Sequence, residues 1–304
     1  MRQLLLLSVY LIGFIASSHA QVDPLYAQYL NNPLLINPAY SGLNNNLNAS
    51  LSYRKQWAGF DGSPATVNIS AHSAFLDNKM GVGLFILQDK AAINKNTEVQ
   101  ATYAYRLDLQ DKYLSFGLQA GLINYRNNND DLNPRDPGAP EFAGAQTFSK
   151  PTFGTGIILS SERYFFGFSV PRMLKAKADI SSVTDETVLY QQHFYLTGAY
   201  VVLLTERIRF KPSVLFKGVK GAPLSTDVNF AFNIDERYTA GAYTRNFNTY
   251  GLLAQLKLSD RYRFGYAFEM PTNNSVGTRF TSHEIMLGIN LAVLSSHSSS
   301  ITNF

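Results

Sequence analysis

The chain has 304 residues, no cysteine and a formal net charge of +4, and 13% of it is aromatic, with 21 Phe and 18 Tyr but a single Trp, Trp57. Without cysteine there is neither a disulfide framework nor a thiolate metal site. So small a positive charge, carried by scattered Lys and Arg, gives no footprint for a nucleic-acid backbone.

Residues 1–20 read as a cleaved secretory signal, with Arg2 as a weakly basic start, an apolar run from Leu4 to Ile15, and small residues in Ser18-His19-Ala20. That run falls short of the roughly 20 residues that a spanning helix needs, and no later stretch is long and apolar enough. The mature chain is expected to begin near Gln21, as one large or two ordinary domains if soluble, or as a membrane β-barrel. Residues 21–46 form a segment of their own. Asp23-Pro24 pairs an N-cap with a first-turn proline, which predicts a short helix from Pro24 to Leu30. Asn32-Pro33 ends it, and Asn37-Pro38 with Ser41-Gly42 adds further turns. Such an apolar, turned segment needs a surface to bury against.

From residue 47 onward the period is two. In Arg261 to Glu269 one parity is aromatic and the other charged or small; in Arg207-Ile208-Arg209-Phe210-Lys211 the basic residues share a parity. Basic side chains facing lipid near the midplane would each cost about 2–4 kcal/mol, so this parity is expected to face inward. Leu224 to Ile234 alternates in the same way. In Glu98 to Asp108 the outward set is Val99, Ala101, Tyr103, Tyr105 and Leu107; in Glu284 to Leu291 it is Ile285, Leu287, Ile289 and Leu291. Fourteen segments follow: 47–57, 64–76, 79–89, 96–109, 112–125, 152–160, 162–171, 190–204, 207–218, 224–234, 236–245, 248–259, 261–270 and 280–291. Many have the roughly 9–11 residues of a tilted bilayer-crossing strand. Short turns at Asp77-Asn78, Gln110-Asp111, Ser161-Glu162, Thr205-Glu206, Asp235-Glu236 and Ser259-Asp260 are expected to alternate with longer links such as 126–151 and 172–189. This is the outer-membrane pattern, and it predicts an all-β transmembrane antiparallel barrel over 47–291, both termini periplasmic, with a Ser-rich tail over 292–304. A soluble sandwich would alternate too, but its two sets of connections need not differ in length.

Chemistry is sparse. Past the signal the histidines are His72, His193, His283 and His297. Ser70 and His72 share a parity, while His283 and its neighbour Glu284 point to opposite faces. Spacing alone assembles no nucleophile, base and orienting group, and no histidine pair has metal-ligand spacing. No catalytic residue, cofactor site or metal site is assigned. The inward basic set, Arg54, Arg106, Arg163, Arg207, Arg209, Lys211, Arg237, Lys257, Arg261 and Arg263, outweighs Glu98, Asp108, Asp227, Glu269 and Glu284. An outer-membrane channel for small anionic or apolar solutes is therefore one functional reading.

"NNPLLINPAYSG" (31–42), "RKQWAGFDGSPATVNISAH" (54–72) and "MGVGLFILQDKAAINKNTEVQATYAYRL" (80–107) resemble the front of the PorP/SprF outer-membrane proteins of Bacteroidetes. The matching positions are Asn32, Pro33, Asn37, Pro38, Ala39, Tyr40 and Gly42, then Arg54, Gln56, Trp57, Gly59, Gly62, Pro64, Thr66, Ser70 and His72. Ala91-Ala92 departs from a turn that the family often makes with Gly-Pro, and beyond the first hundred residues only "SHEIMLGINL" continues the likeness. The resemblance implies a non-enzymatic component of the type IX secretion system. Such a component supports export or surface delivery of cargo, gliding adhesins among them, and works with periplasmic ring and motor components or a large cargo protein, amid outer-membrane lipids. On this reading residues 21–46 are a plug or docking segment near the periplasm, or a cap on the barrel's apolar end. The Trp57–Pro64 loop is then an interfacial anchor or a contact for cargo or a surface lipoprotein.

Overall fold

The computed structural model describes residues 29, 31–44, 46–128, 145–174, 176–178, 187–220, 222–272 and 279–291. The expected signal, most of the Pro24–Leu30 helix and the Ser-rich tail lie outside the described residues. Fourteen antiparallel strands form one wall: β1 (Leu47–Lys55), β2 (Ala65–Phe75), β3 (Met80–Ala91), β4 (Asn94–Asp108), β5 (Tyr113–Asn128), β6 (Ala145–Ser160), β7 (Tyr164–Val170), β8 (His193–Tyr200), β9 (Ile208–Val219), β10 (Ser225–Ile234), β11 (Tyr238–Arg245), β12 (Thr249–Lys257), β13 (Tyr262–Pro271) and β14 (Ser282–Leu291). After a break at Val201, Val202–Leu203 continues β8 along β9. Every strand pairs with its neighbour in sequence, and β14 returns to β1 in register from Leu47↔Leu291 to Lys55↔His283. The sheet therefore has no free edge, and its backbone polar groups are satisfied within the wall, as a lipid environment demands. A separate ribbon, Ala176–Ala178 against Thr187–Tyr190, lies in the link between β7 and β8.

The expected parity holds. In β4, Val99, Tyr103, Tyr105 and Leu107 are exposed while Glu98, Gln100, Thr102 and Arg106 are buried; in β14, Ile285, Leu287 and Ile289 are exposed while Met286 and Glu284 are buried. This inverts the soluble pattern, because the apolar face meets lipid and the polar face meets the lumen. In β5 the outward residues Leu114, Phe116, Leu118 and Leu122 give way to Asn124 and Arg126; neighbouring β4 offers Lys95 and Thr97, and β6 offers Thr147 and Ser149. Asn124 Nδ2 donates to Ser149 Oγ at 2.9 Å across this stretch. β4 to β6 thus run past the apolar belt as a polar lip, which is why β6 begins at Ala145 rather than at the expected residue 152: with both faces polar, alternation vanishes from the sequence.

One end of the barrel holds the turns at 76–79, 109–112, 161–163, 204–207, 235–237 and 258–261, and there β1 begins and β14 ends. The other end carries the longer links, but the lengths do not alternate strictly. Ala91 pairs with Asn94 across two residues, and Arg245 pairs with Thr249 across three. The first of these tight turns closes the polar lip, with Ala92 at φ +50° and its N–H bonded to the Gly62 carbonyl at 2.9 Å. At Ala91-Ala92, where the sequence departs from a Gly-Pro turn, the chain makes a direct two-residue hairpin. Leu118, 61% exposed at mid-belt, is a direct probe of the lipid face. Leu118→Arg should lower stability by about 2–4 kcal/mol in vesicle unfolding titrations, and an unchanged midpoint would contradict the lipid-facing assignment.

Candidate functional site

Residues 31–44 lie inside the lumen, and their two Asn-Pro pairs explain how. Each proline opens a one-turn 3₁₀ helix, Pro33–Leu35 and Pro38–Tyr40, where a fixed φ suits the first position and no N–H is missed. The Pro33 carbonyl accepts from Ile36 N (3.1 Å) and Asn37 N (2.9 Å), and Asn37 Oδ1 caps the second turn by accepting from Ala39 N at 3.0 Å. With the backbone satisfied locally, both Asn amides reach the wall. Asn32 Nδ2 faces Ser50 Oγ (3.0 Å), Asn68 Oδ1 (3.2 Å) and Ser70 Oγ (2.9 Å) on β1 and β2. Asn37 Nδ2 donates to the carbonyls of Ile157 (3.2 Å) and Phe168 (3.3 Å) on β6 and β7. Ser169 Oγ donates to the Ile36 carbonyl at 2.5 Å, and Ser41 Oγ sits 2.7 Å from Thr102 Oγ1.

The apolar residues close the fit. Leu34, Leu35, Ala39, Tyr40 and Leu43 pack with Phe85 and Leu87 of β3 and Ile158 of β6, while Tyr29 and Ile36 pack with Tyr195 and Leu215. Burying a Leu or Ile side chain contributes about 1.5–3 kcal/mol, so these contacts outweigh the solvation of a loose segment. The wall is also cut to the segment's shape. A Cβ on Gly117 would lie 2.0 Å from Ala39 N, one on Gly156 2.1 Å from Asn37 Oδ1, and one on Gly81 2.0 Å from the Ser41 carbonyl. Gly42, at φ +68°, turns the chain toward the short-turn end and donates its N–H to His72 Nδ1 at 3.1 Å. That bond leaves Nδ1 without a proton. The His72 and Tyr40 rings also meet in a T-shaped arrangement, centroids 5.4 Å apart.

Arg54 belongs to a second constellation, toward the loop end of the lumen. It pairs with Glu269 and, at 3.5 Å, with Glu284; Arg245 links Glu269 (3.3 Å) to Asp227 (2.9 Å). All five groups are buried, so removing one partner strands the rest, at about 3–5 kcal/mol. Sequence reasoning missed Arg172, which enters the lumen from the link after β7 and meets Glu98 at 2.5 Å. Gly154 makes room for this link, since its Cβ would stand 2.2 Å from the Pro171 carbonyl. Parity carries no information about a residue outside a strand.

The remaining signature residues do not join the lumen group. Gln56 N donates to the Pro64 carbonyl (2.9 Å), Trp57 N to Ser282 Oγ (3.2 Å) and Ala58 N to the Thr281 carbonyl (2.7 Å), so the 56–64 loop leans on the start of β14. Gly59 and Gly62 take φ of +92° and +72°, and Phe60 meets Phe280 edge-on. Ser70 and His72 both face inward, but each is engaged with the front segment; His283 faces outward and meets Tyr266 Oη at 2.7 Å. Among the described residues no three His, Asp or Glu side chains gather as a metal site. The basic-lumen reading also needs correction. Arg163, Arg207, Arg237 and Arg261 are exposed at the short-turn rim, because parity does not extend past the strand ends, and Asp108, the last residue of β4, is exposed there as well.

The profile of the family described as "Type IX secretion system membrane protein PorP/SprF" matches residues 18–289. The chain belongs to this family. No curated protein matches. Among solved structures, the CymD monoaromatic hydrocarbon channel is similar at 10% identity and TM-score 0.49, over 90% of this chain and 94% of that one. The Acinetobacter baumannii outer membrane protein Omp33 is similar at 8% identity and TM-score 0.44, over 82% and 99%. A TodX monoaromatic hydrocarbon channel mutant follows at 12% identity and TM-score 0.42, over 86% and 93%. The PorP/SprF chain is thus an outer-membrane β-barrel of the type IX secretion system with its own front segment in the lumen.

Gly117→Val should unseat that segment, because the added carbons would occupy the place of the Ala39 backbone. Limited proteolysis of the folded variant should then cut within 31–44 where the parent resists, and equal resistance would show that the seat does not depend on this glycine. Arg245→Ala should lower unfolding stability by about 3–5 kcal/mol, read by heat-modifiable gel mobility against denaturant.

Proposed function

We propose that this barrel acts as a non-enzymatic scaffold of type IX secretion, holding ring or motor components, or a large cargo protein, at the outer membrane. The observation that carries the reading is the lumen. A front segment held by hydrogen bonds to β1, β2, β4, β6 and β7 and seated on three glycines leaves the barrel built to present a surface rather than to pass solutes. The short-turn end, where Leu43 of that segment emerges, is proposed as the periplasmic face; the 56–64 loop then faces outward, toward exported cargo or a surface lipoprotein. In gliding species the cargo class would include motility adhesins.

The test is affinity purification from gently solubilised outer membranes with mass spectrometry of the companions. Secretion-ring components or one very large surface protein are expected, and recovery of the barrel alone would sink the scaffold reading. In planar bilayers the parent protein should be silent, whereas a steady anion-selective current would favour a channel.

A further inference from the structure

On the outward face of the polar lip, three cations stand side by side. Lys90 of β3 pairs with Lys95 of β4, and Lys95 pairs with Arg126 of β5, so one row crosses three neighbouring strands. Neighbouring strands lie about 5 Å apart, and all three side chains are exposed. Like charges set directly opposite one another destabilise a sheet. Among the described residues none of the three takes part in an ion pair. The nearest acids on these strands, Asp89 and Glu98, point into the lumen, where they meet Thr66 Oγ1 and Arg172. Among the described residues Asp61, in the 56–64 loop beside the Ala91-Ala92 turn, is the one exposed acid at the loop end, a single carboxylate against three cations. A row that repels itself in this way gains from an external anion.

The levels beneath the row indicate which anion. The next outward row is Gln88, Thr97, Asn124 and Ser149, all amides and hydroxyls, and the one after it holds Ile86, Val99 and Leu122, exposed to lipid. A phosphorylated lipid presents the same order from its acyl chains outward: apolar, then hydrogen-bonding, then anionic. An acidic protein segment would satisfy the cations but not the two rows below them. We infer that Lys90, Lys95 and Arg126 form a binding site for the phosphate of a leaflet lipid, the phosphorylated glucosamine glycolipid of the outer leaflet. Arg126 can meet a phosphate with two parallel N–H donors, while the two ammonium groups act as point charges beside it. The choice of leaflet rests on the outward orientation proposed above for the loop end, but lipid retention and companion recovery are measured separately.

The test uses the full-length folded barrel in a neutral detergent and native mass spectrometry with diphosphoryl lipid A, the same lipid after phosphatase treatment, and phosphatidylglycerol. Diphosphoryl lipid A should be retained in preference to the other two. Each of K90Q, K95Q and R126Q should weaken retention about fivefold, the scale of one basic residue at an anionic lipid surface, and the triple variant on the order of a hundredfold. Diphosphoryl lipid A should also raise the unfolding midpoint of the parent barrel and leave that of the triple variant unmoved. Without lipid the triple variant should be no less stable than the parent by heat-modifiable gel mobility, because the three side chains are exposed and repel one another. Equal retention of lipid A with and without its phosphates, or retention unchanged in the triple variant, would overturn the inference. Phosphatidylglycerol held as firmly as lipid A would overturn the choice of glycolipid. Companions lost from the triple variant while lipid is kept would give the row to an acidic protein partner instead. A barrel that brings secretion components with it yet keeps no lipid A would sink the lipid site alone.

Discussion

A barrel of fourteen strands encloses more space than its own inward side chains can fill, and that space must be flooded or occupied. Here it is occupied by a segment of the same chain, and much of the wall is shaped by that fact. Gly81, Gly117 and Gly156 are small because backbone passes where a side chain would be. Ser50, Asn68, Ser70 and Thr102 are polar because Asn32 and Ser41 seek partners there. Phe85 and Leu87 point inward, against the usual polar lumen, because Leu34 and Leu35 lie beside them. The Asn-Pro turns make this possible, since a segment that satisfies its own backbone can spend its side-chain amides on the wall.

The lumen divides along its axis. Toward the loop end, buried ions on six strands and the inserted Arg172 tie the wall across the space that the front segment does not reach. Toward the short-turn end, the front segment descends to Leu43 and forms the floor of the mouth. Each region stiffens a different part of the barrel.

The wall was legible in the sequence because lipid constrains the outward face: an outward Arg within the belt is costly, so β9 and β13 announce their faces in Arg209, Lys211 and Arg263. The polar lip was not legible, since Lys95, Arg126 and Thr147 stand above the belt where neither face is apolar. The rim cations Arg163 and Arg261 were misplaced into the lumen for the same reason, as parity means nothing beyond the last ladder bond. For the front segment, sequence reasoning foresaw turns and a need for burial, but gave no partner for Asn32 or Asn37. One clue was available: the near-continuous apolar run from Met80 to Leu87 breaks the alternation where the segment packs. Arg172 left no clue, because a link that folds inward has no periodicity.

The lumen-filling segment is tested most directly by disulfide trapping, which the absence of native cysteine makes clean. Ser41 and Thr102 stand with their hydroxyl oxygens 2.7 Å apart, close enough for a bridge between the paired variants S41C and T102C. Outer membranes carrying both substitutions should yield a spontaneously cross-linked barrel, seen as a reduction-sensitive shift on non-reducing gels. Free thiols in the double variant, open to bulky water-soluble maleimides at position 41, would place the segment outside the lumen and contradict the account.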